Sequence, residues 1–170
     1  MAMRGDAEAG LAMARRNCEL TDRLGDVFSR TLALTNLAWC QLYAGEAEGA
    51  LENIEEAERA YRESMGNGGE MEAWRAQLRA QALTAVGRAE EAIEVAEQAT
   101  ATARERGMMW TYPVAMLALA RARRAAGQDG AAEAFAEAVR VAEETGAISL
   151  IADVEAERGE YEASAGGAGG

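Results

Sequence analysis

The sequence predicts an all-α fold: about eight antiparallel helices paired into hairpins and stacked as a solenoid. Three observations point there. First, 41 of the 170 residues are Ala, and the larger apolar residues (Val, Ile, Leu, Met, Phe, Trp, Tyr) also number 41. Alanine is the best helix former and a poor strand former, and β-branched residues are scarce, which argues against sheets. Second, glycines recur in two ladders. Gly5, Gly45, Gly87 and Gly127 form one; Gly25, Gly66, Gly107 and Gly146 form the other. The ladders interleave about every 20 residues, the spacing of left-handed caps that end one helix before the next. Third, small and aliphatic residues repeat at fixed offsets from those glycines, as one buried helical face requires.

Each element follows from this frame. Helix 6–24 opens on Asp6 and carries Gly10, Leu11 and Ala14 at five, six and nine residues past Gly5; Arg23 lies near its end. Helix 27–44 aligns backward from Gly45 through Cys40, Ala38 and Leu32. Helix 46–64 repeats the forward pattern with Ala50, Leu51 and Ile54, with Glu46 and Glu48 at its start and Arg62 near its end. Acids at helix starts and arginines at helix ends suit the macrodipole. Helix 70–86 aligns backward from Gly87 through Ala82, Ala80 and Trp74; the preceding Met65-Gly-Asn-Gly-Gly69 reads as a longer turn. Helix 88–106 carries Ala92, Ile93 and Ala96, with Glu90 early and Arg104 and Arg106 late. Helix 110–126 has Pro113 near its first turn, where proline is tolerated, and Val114, Ala120 and Ala122 in the backward columns. Helix 128–146 takes Ala132, Glu133 and Ala136 at the forward offsets, so it departs from the pattern at Glu133. Helix 148–163 is polar, with Asp153, Glu155, Glu157, Arg158, Glu160 and Glu162. Residues 1–163 form one domain, and the Gly/Ala tail 164–170 is expected to be disordered.

Charge excludes several chemistries. There are 29 acidic residues against 17 basic, a net charge of −12; every basic residue is Arg, with no Lys and no His. A P-loop or Schiff base lacks its Lys, and a Ser–His–Asp triad or His-based zinc site lacks its His. The acidic balance disfavours nucleic acid and anionic membranes as partners. Cys18 and Cys40 form no CxxC pair and read as buried free thiols. No apolar run reaches signal-peptide or membrane-span length, which gives a cytoplasmic expectation. Paired carboxylates (Glu55 and Glu56, Glu90 and Glu91, Glu143 and Glu144) read as solvated faces. The chain is therefore expected to be no enzyme, with no catalytic residues, no cofactor and no metal.

The blocks Gly-Glu-Ala-Glu-Gly-Ala-Leu-Glu-Asn-Ile-Glu-Glu-Ala57 and Gly-Arg-Ala-Glu-Glu-Ala-Ile-Glu-Val-Ala-Glu-Gln-Ala99 resemble the second helix of tetratricopeptide (TPR) repeats, and the resemblance runs over nearly the whole chain. The unit is about 40 residues rather than 34, and the Pro that often closes a repeat is missing. Longer units are similar to the TPR sensor regions of LuxR-type ATP-dependent regulators; Ala-Arg-Glu-Arg-Gly-Met-Met-Trp110 is the stretch most like them. There is no Walker motif here. The resemblance implies a right-handed helical-hairpin solenoid. It implies a non-catalytic scaffold that binds a protein or peptide segment in its concave groove, in bacterial regulation. The alternative it leaves open is a small-ligand effector-sensing module. The first helix aligns with second helices of the unit and the last with first helices, so the repeat is cut out of phase. Two explanations stand: a fragment of a larger regulator, or ends covered by self-association, with a homodimer formed through one end.

The groove of such a solenoid is lined by the first helix of each unit. Trp39, Trp74, Trp110 and Tyr112 lie on those helices, with Tyr43 at the end of one. Trp74 shares its column with Leu32 and Val114 and reads first as core packing; Trp39 shares its column with Gln81 and Arg121 and reads as more exposed. Arg75 and Arg79 stand one turn apart, and Arg121, Arg123 and Arg124 cluster on the next first helix. They form either a basic strip for an acidic or phosphorylated ligand or a set of internal ion pairs. Met108 and Met109 beside Trp110 form either an adaptable apolar patch or helix-start packing.

Overall fold

The computed structural model describes residues 7–66, 71–146 and 154–161. The regular elements among them are all helices: α1 (Ala7–Leu24), α2 (Val27–Ala44), α3 (Ala47–Met65), α4 (Glu72–Ala85), α5 (Ala89–Glu105), α6 (Thr111–Ala126), α7 (Ala131–Thr145) and α8 at 154–161. From α1 to α6 the bounds lie within two residues of those expected from the glycine ladders. The tail 164–170, both ends of the last expected helix and most of the expected turn at 65–69 lie outside the described residues.

Of the ladder glycines, Gly5 lies outside the described residues and Gly66 (φ 79°, ψ −168°) departs from the left-handed cap expected of it. Gly25, Gly45, Gly66, Gly87, Gly107, Gly127 and Gly146 all have positive φ, between 64° and 83°. At Gly45 (φ 82°, ψ 12°) the backbone N–H donates to the carbonyls of Gln41 and Leu42, and the N–H of Glu46 reaches Gln41 O at 2.9 Å. This satisfies carbonyls that the helix end would otherwise leave open. Asp26 caps α2 from the other side, its carboxylate accepting from the Ser29 N–H at 2.8 Å.

From α1 to α7, short connections turn each helix back on its predecessor, and each of α1 to α6 packs against the next. The even helices form an inner layer. Ala38, Ala80 and Ala120, the column seven residues before each ladder glycine, are fully buried, and small side chains let backbones approach. Accordingly α4 lies along α6 and touches α2, whereas among the described residues none of α1, α3, α5 and α7 is in backbone contact with another of that set.

The forward columns hold on α3 and α5, where Ala47, Ala50, Leu51, Ile54 and Ala57 superpose in register on Ala89, Ala92, Ile93, Ala96 and Ala99, all buried. On α7 the expected register is overturned. Ala132, Glu133 and Ala136 are exposed, and the buried set is Ala131, Ala134, Phe135, Ala138, Val139, Val141 and Ala142. The whole pattern has moved by two residues. The cause is a second left-handed glycine, Gly130 (φ 86°), which lengthens the turn after Gly127 and delays the start of α7. Glu133 is therefore no break in the core; Phe135 takes the place of Leu51 and Ile93. A second correction concerns the cysteines. Cys18 and Cys40 are free but only half-buried, packed beside Leu11, Ala14 and Leu37 where α1 meets α2.

One junction is looser than the rest. α3 and α4 meet less closely than any other successive pair, and α4 touches α2 lightly while lying fully along α6. The opening sits where the side chains of α4 depart from the repeat.

Candidate functional site

Aligned on Gly45, Gly87 and Gly127, three core columns change character on α4. Arg75 stands where α2 and α6 have Ala33 and Ala115; Gln77 where they have Thr35 and Leu117; Arg79 where they have Leu37 and Leu119. The flanking members are all buried, so α4 carries two guanidiniums and an amide at positions its neighbours use for packing. Arg75 is 3% exposed and Gln77 is fully buried. Among the described residues, the buried side-chain nitrogens with no hydrogen-bond partner are Arg75 Nε, Gln77 Nε2 and Arg79 Nε. Each orphaned donor costs about 1–3 kcal/mol of desolvation. A helix that is otherwise built for economy of packing thus carries three of them.

Arg75 and Arg79, at i and i+4, share one face of α4 and form the floor of a cleft between α3 and α5. Its volume is about 380 Å³, within the range of small-molecule sites. Glu58, Tyr61 and Arg62 line it from α3; Val95, Ala99 and Thr102 from α5. The Arg75 guanidinium lies 4.5 Å above the centroid of the Tyr61 ring, a cation–π contact. Arg79 reaches Glu58 at 3.4 Å and Glu55 at 3.9 Å with its terminal nitrogens. Glu72, at the rim, is 3.8 Å from Arg106. Burial pushes the Glu58 carboxyl up from its ordinary value against the pull of Arg79, Arg75 and Arg62. Burial likewise pushes the Arg75 guanidinium down, against Glu58 and Tyr61.

Neither a protein-family model nor a curated protein matches the chain.

The other expected site residues fall on different surfaces. Trp39 and Tyr43 are exposed on α2 and form an edge-to-face pair with ring centroids 5.6 Å apart. In the same column as Trp39, Gln81 accepts from Arg121 Nη1 at 3.3 Å, and Arg121 forms a two-pronged ion pair with Glu157 of α8. Gln81 also donates to Gln77. So Trp39, Gln81 and Arg121 lie in register on the even layer, away from Arg75 and Arg79. Trp74 is half-buried and packs against the main core. Tyr112 turns toward α7 and donates to Glu137 at 3.2 Å. Trp110 is 73% exposed and, with Arg106, Met108 and Thr111, borders a second, more open pocket. The five arginines do not form one strip. Arg79 and Arg121 are paired as above, Arg123 meets Glu97 at 2.9 Å, and Arg124 is exposed.

Sequence reasoning missed the cleft's α3 wall, yet the signal was present. Tyr61 stands in the column of Thr21 and Ala103, and Glu58 in that of Cys18 and Thr100. Both are large or charged where the repeat is small. Two further facts bear on partners. Met13, Leu20, Leu24, Val27 and Phe28 are exposed apolar residues on α1 and the start of α2. Among the described residues, no helix is long and apolar enough to cross a membrane, and no three Cys, Asp or Glu side chains are grouped so as to hold a metal ion.

Proposed function

We propose that the protein is a non-catalytic binding module, a right-handed TPR-like solenoid whose even-helix face docks a protein or peptide segment. The observation that carries this reading is the exposed Trp39–Tyr43 pair on the inner layer. Large aromatics cost free energy in water, and paired on a helical face they supply the anchors that dominate protein interfaces. The polar row Gln81–Arg121–Glu157 beside them offers hydrogen bonds to a passing backbone. A displayed random-peptide library selected on the full chain tests it. Binders are expected to lose at least about ten-fold in affinity on Trp39→Ala combined with Tyr43→Ala; selected binders indifferent to both changes refute the reading. The exposed apolar residues of α1 and α2 support self-association through that end, with a homodimer as the expected species. Sedimentation equilibrium that finds only monomer at high concentration refutes it.

A second reading is favoured by a separate observation. The cleft over Arg75 is half-open and polar at its floor, and it leaves the Nε donors of Arg75 and Arg79 unfilled, as a small-ligand sensing site would. On that reading occupancy at the loose α3–α4 junction alters how the two halves of the array meet. Small-angle scattering or hydrogen exchange across α3 and α4, with and without ligand, tests that coupling.

A further inference from the structure

Arg75 is the anomaly from which a ligand class follows. The partly buried arginines Arg79, Arg121 and Arg123 each have a carboxylate within 4 Å. Arg75 is more buried than any of them and, among the described residues, has no carboxylate in ion-pair range, in a chain with 29 acidic residues. The face of Tyr61 offsets part of the cost of burying that charge, but it leaves Nε without an acceptor. A buried cation with no carboxylate within 4 Å is a costly arrangement. An external anion bound at that point would relieve it, and Arg79 Nε, one turn away, offers a second unfilled donor to the same group.

The surrounding charge decides which anion. The lining holds three guanidiniums (Arg62, Arg75, Arg79) and two carboxylates (Glu58, Glu72), an excess of one positive charge. That suits a monoanion. A dianion such as phosphate would set a second negative charge against Glu58. The net charge of −12 opposes any anion at long range, but at physiological salt it is screened beyond about 8 Å. The local guanidiniums therefore govern. Arginine forks match a carboxylate's two oxygens. Tyr61, Val95 and Ala99 supply apolar walls for the rest of the molecule.

We propose that the α3–α4–α5 cleft binds a small monoanionic organic acid, its carboxylate received by Arg75 and Arg79 and its apolar body held between Tyr61 and the Val95–Ala99 wall. This rests on the small-ligand reading above and names its ligand class. An acidic peptide side chain presents the same carboxylate, so the test separates the sources.

Calorimetric titration of the full chain with benzoate, hexanoate, inorganic phosphate and a blocked glutamate-containing tripeptide is the experiment. Saturable one-to-one binding of benzoate or hexanoate is expected, about ten-fold or more tighter than phosphate or the tripeptide. Arg75→Met is expected to weaken it at least about ten-fold, and Arg75→Lys, which keeps the charge but loses Nε, to weaken it also. Arg124→Met, at an exposed site, is expected to leave it within about two-fold. Circular dichroism confirms that each variant is helical. Acid binding indifferent to Arg75→Met overturns the proposal, as does the absence of saturable binding by either acid. Phosphate binding that requires Arg75 overturns the acid and leaves the small-ligand reading standing. An Arg75-dependent response to the tripeptide alone overturns both.

Discussion

If Arg75 is held in the core for binding rather than for folding, removing its charge should make the protein more stable. Arg75→Met is the clean perturbation, because Met keeps the length and apolar stem of the side chain while losing the guanidinium. The orphaned Nε alone costs about 1–3 kcal/mol. Burying the charge at 3% exposure with no carboxylate within 4 Å brings the total cost to about 3–5 kcal/mol. Against this stands the contact with Tyr61 at 4.5 Å, worth up to about 2 kcal/mol when desolvated. The balance favours Met by about 1–3 kcal/mol. For a chain of this length each kcal/mol moves Tm by about 2–4 °C, so the expected rise is roughly 4–8 °C at the middle of that range. Urea unfolding followed by circular dichroism gives the free energy, and an unchanged slope shows that the two states are the same ones. A loss of 1 kcal/mol or more would refute the reasoning. It would mean that Arg75 is already satisfied and that the cleft is merely a packing feature.

Three further predictions follow from the same structure. Phe135→Ala, at a fully buried site, should cost about 3–5 kcal/mol, whereas Glu133→Ala should stay within about 0.5 kcal/mol in thermal or urea unfolding; the reverse order would restore the unshifted α7 register. The Ser29 N–H holds the Asp26 carboxyl below its ordinary value, so its capping contribution is present above the unfolded value near 3.9 and is lost as pH falls through the lower folded one. Asp26→Ala should therefore lower Tm at pH 7 and converge with the parent chain in strong acid; a constant gap across that range contradicts the cap. Glu58, which shares the cleft with Arg62, Arg75, Arg79, Glu72 and Tyr61, is pushed up by burial, so on acidification it takes a proton before an ordinary carboxylate does and the cleft loses a negative charge. Benzoate affinity should rise as Glu58 takes up its proton and the rise should vanish in Glu58→Gln; a flat profile in the parent chain contradicts it.

Much of the architecture is legible because two local signals agree. The glycines need positive φ to end helices, and the residues between them need small side chains to let helices meet, so caps and contact columns carry one period. The period misleads only on α7. There the ladder glycine Gly127 is followed by Gly130, and nothing local says which of the two sets the register; burial of Phe135 decides it. The candidate site was half legible. Arg75 and Arg79 stand out as a pair at helical spacing, but spacing alone grouped them with Arg121 on one strip. Only the packing of α4 shows that its two polar edges look in different directions, Arg75 and Arg79 toward α3 and α5, Gln77 and Gln81 toward Arg121. Tyr61 and Glu58 were hidden for a related reason. Their columns are small in other units, but that matters only once α3 is known to face Arg75.

The central claim is that α4 breaks the repeat to hold unfilled donors for an external acid. The most direct test is the side-chain Nε–H signals of the 17 arginines in a nitrogen–proton correlation spectrum, recorded as benzoate is added. The account predicts that the Arg75 and Arg79 signals shift and become protected from exchange as the site fills, while Arg124 and the other exposed arginines stay in place. Uniform small shifts across all the arginines, or a still Arg75 signal at saturating benzoate, would contradict it.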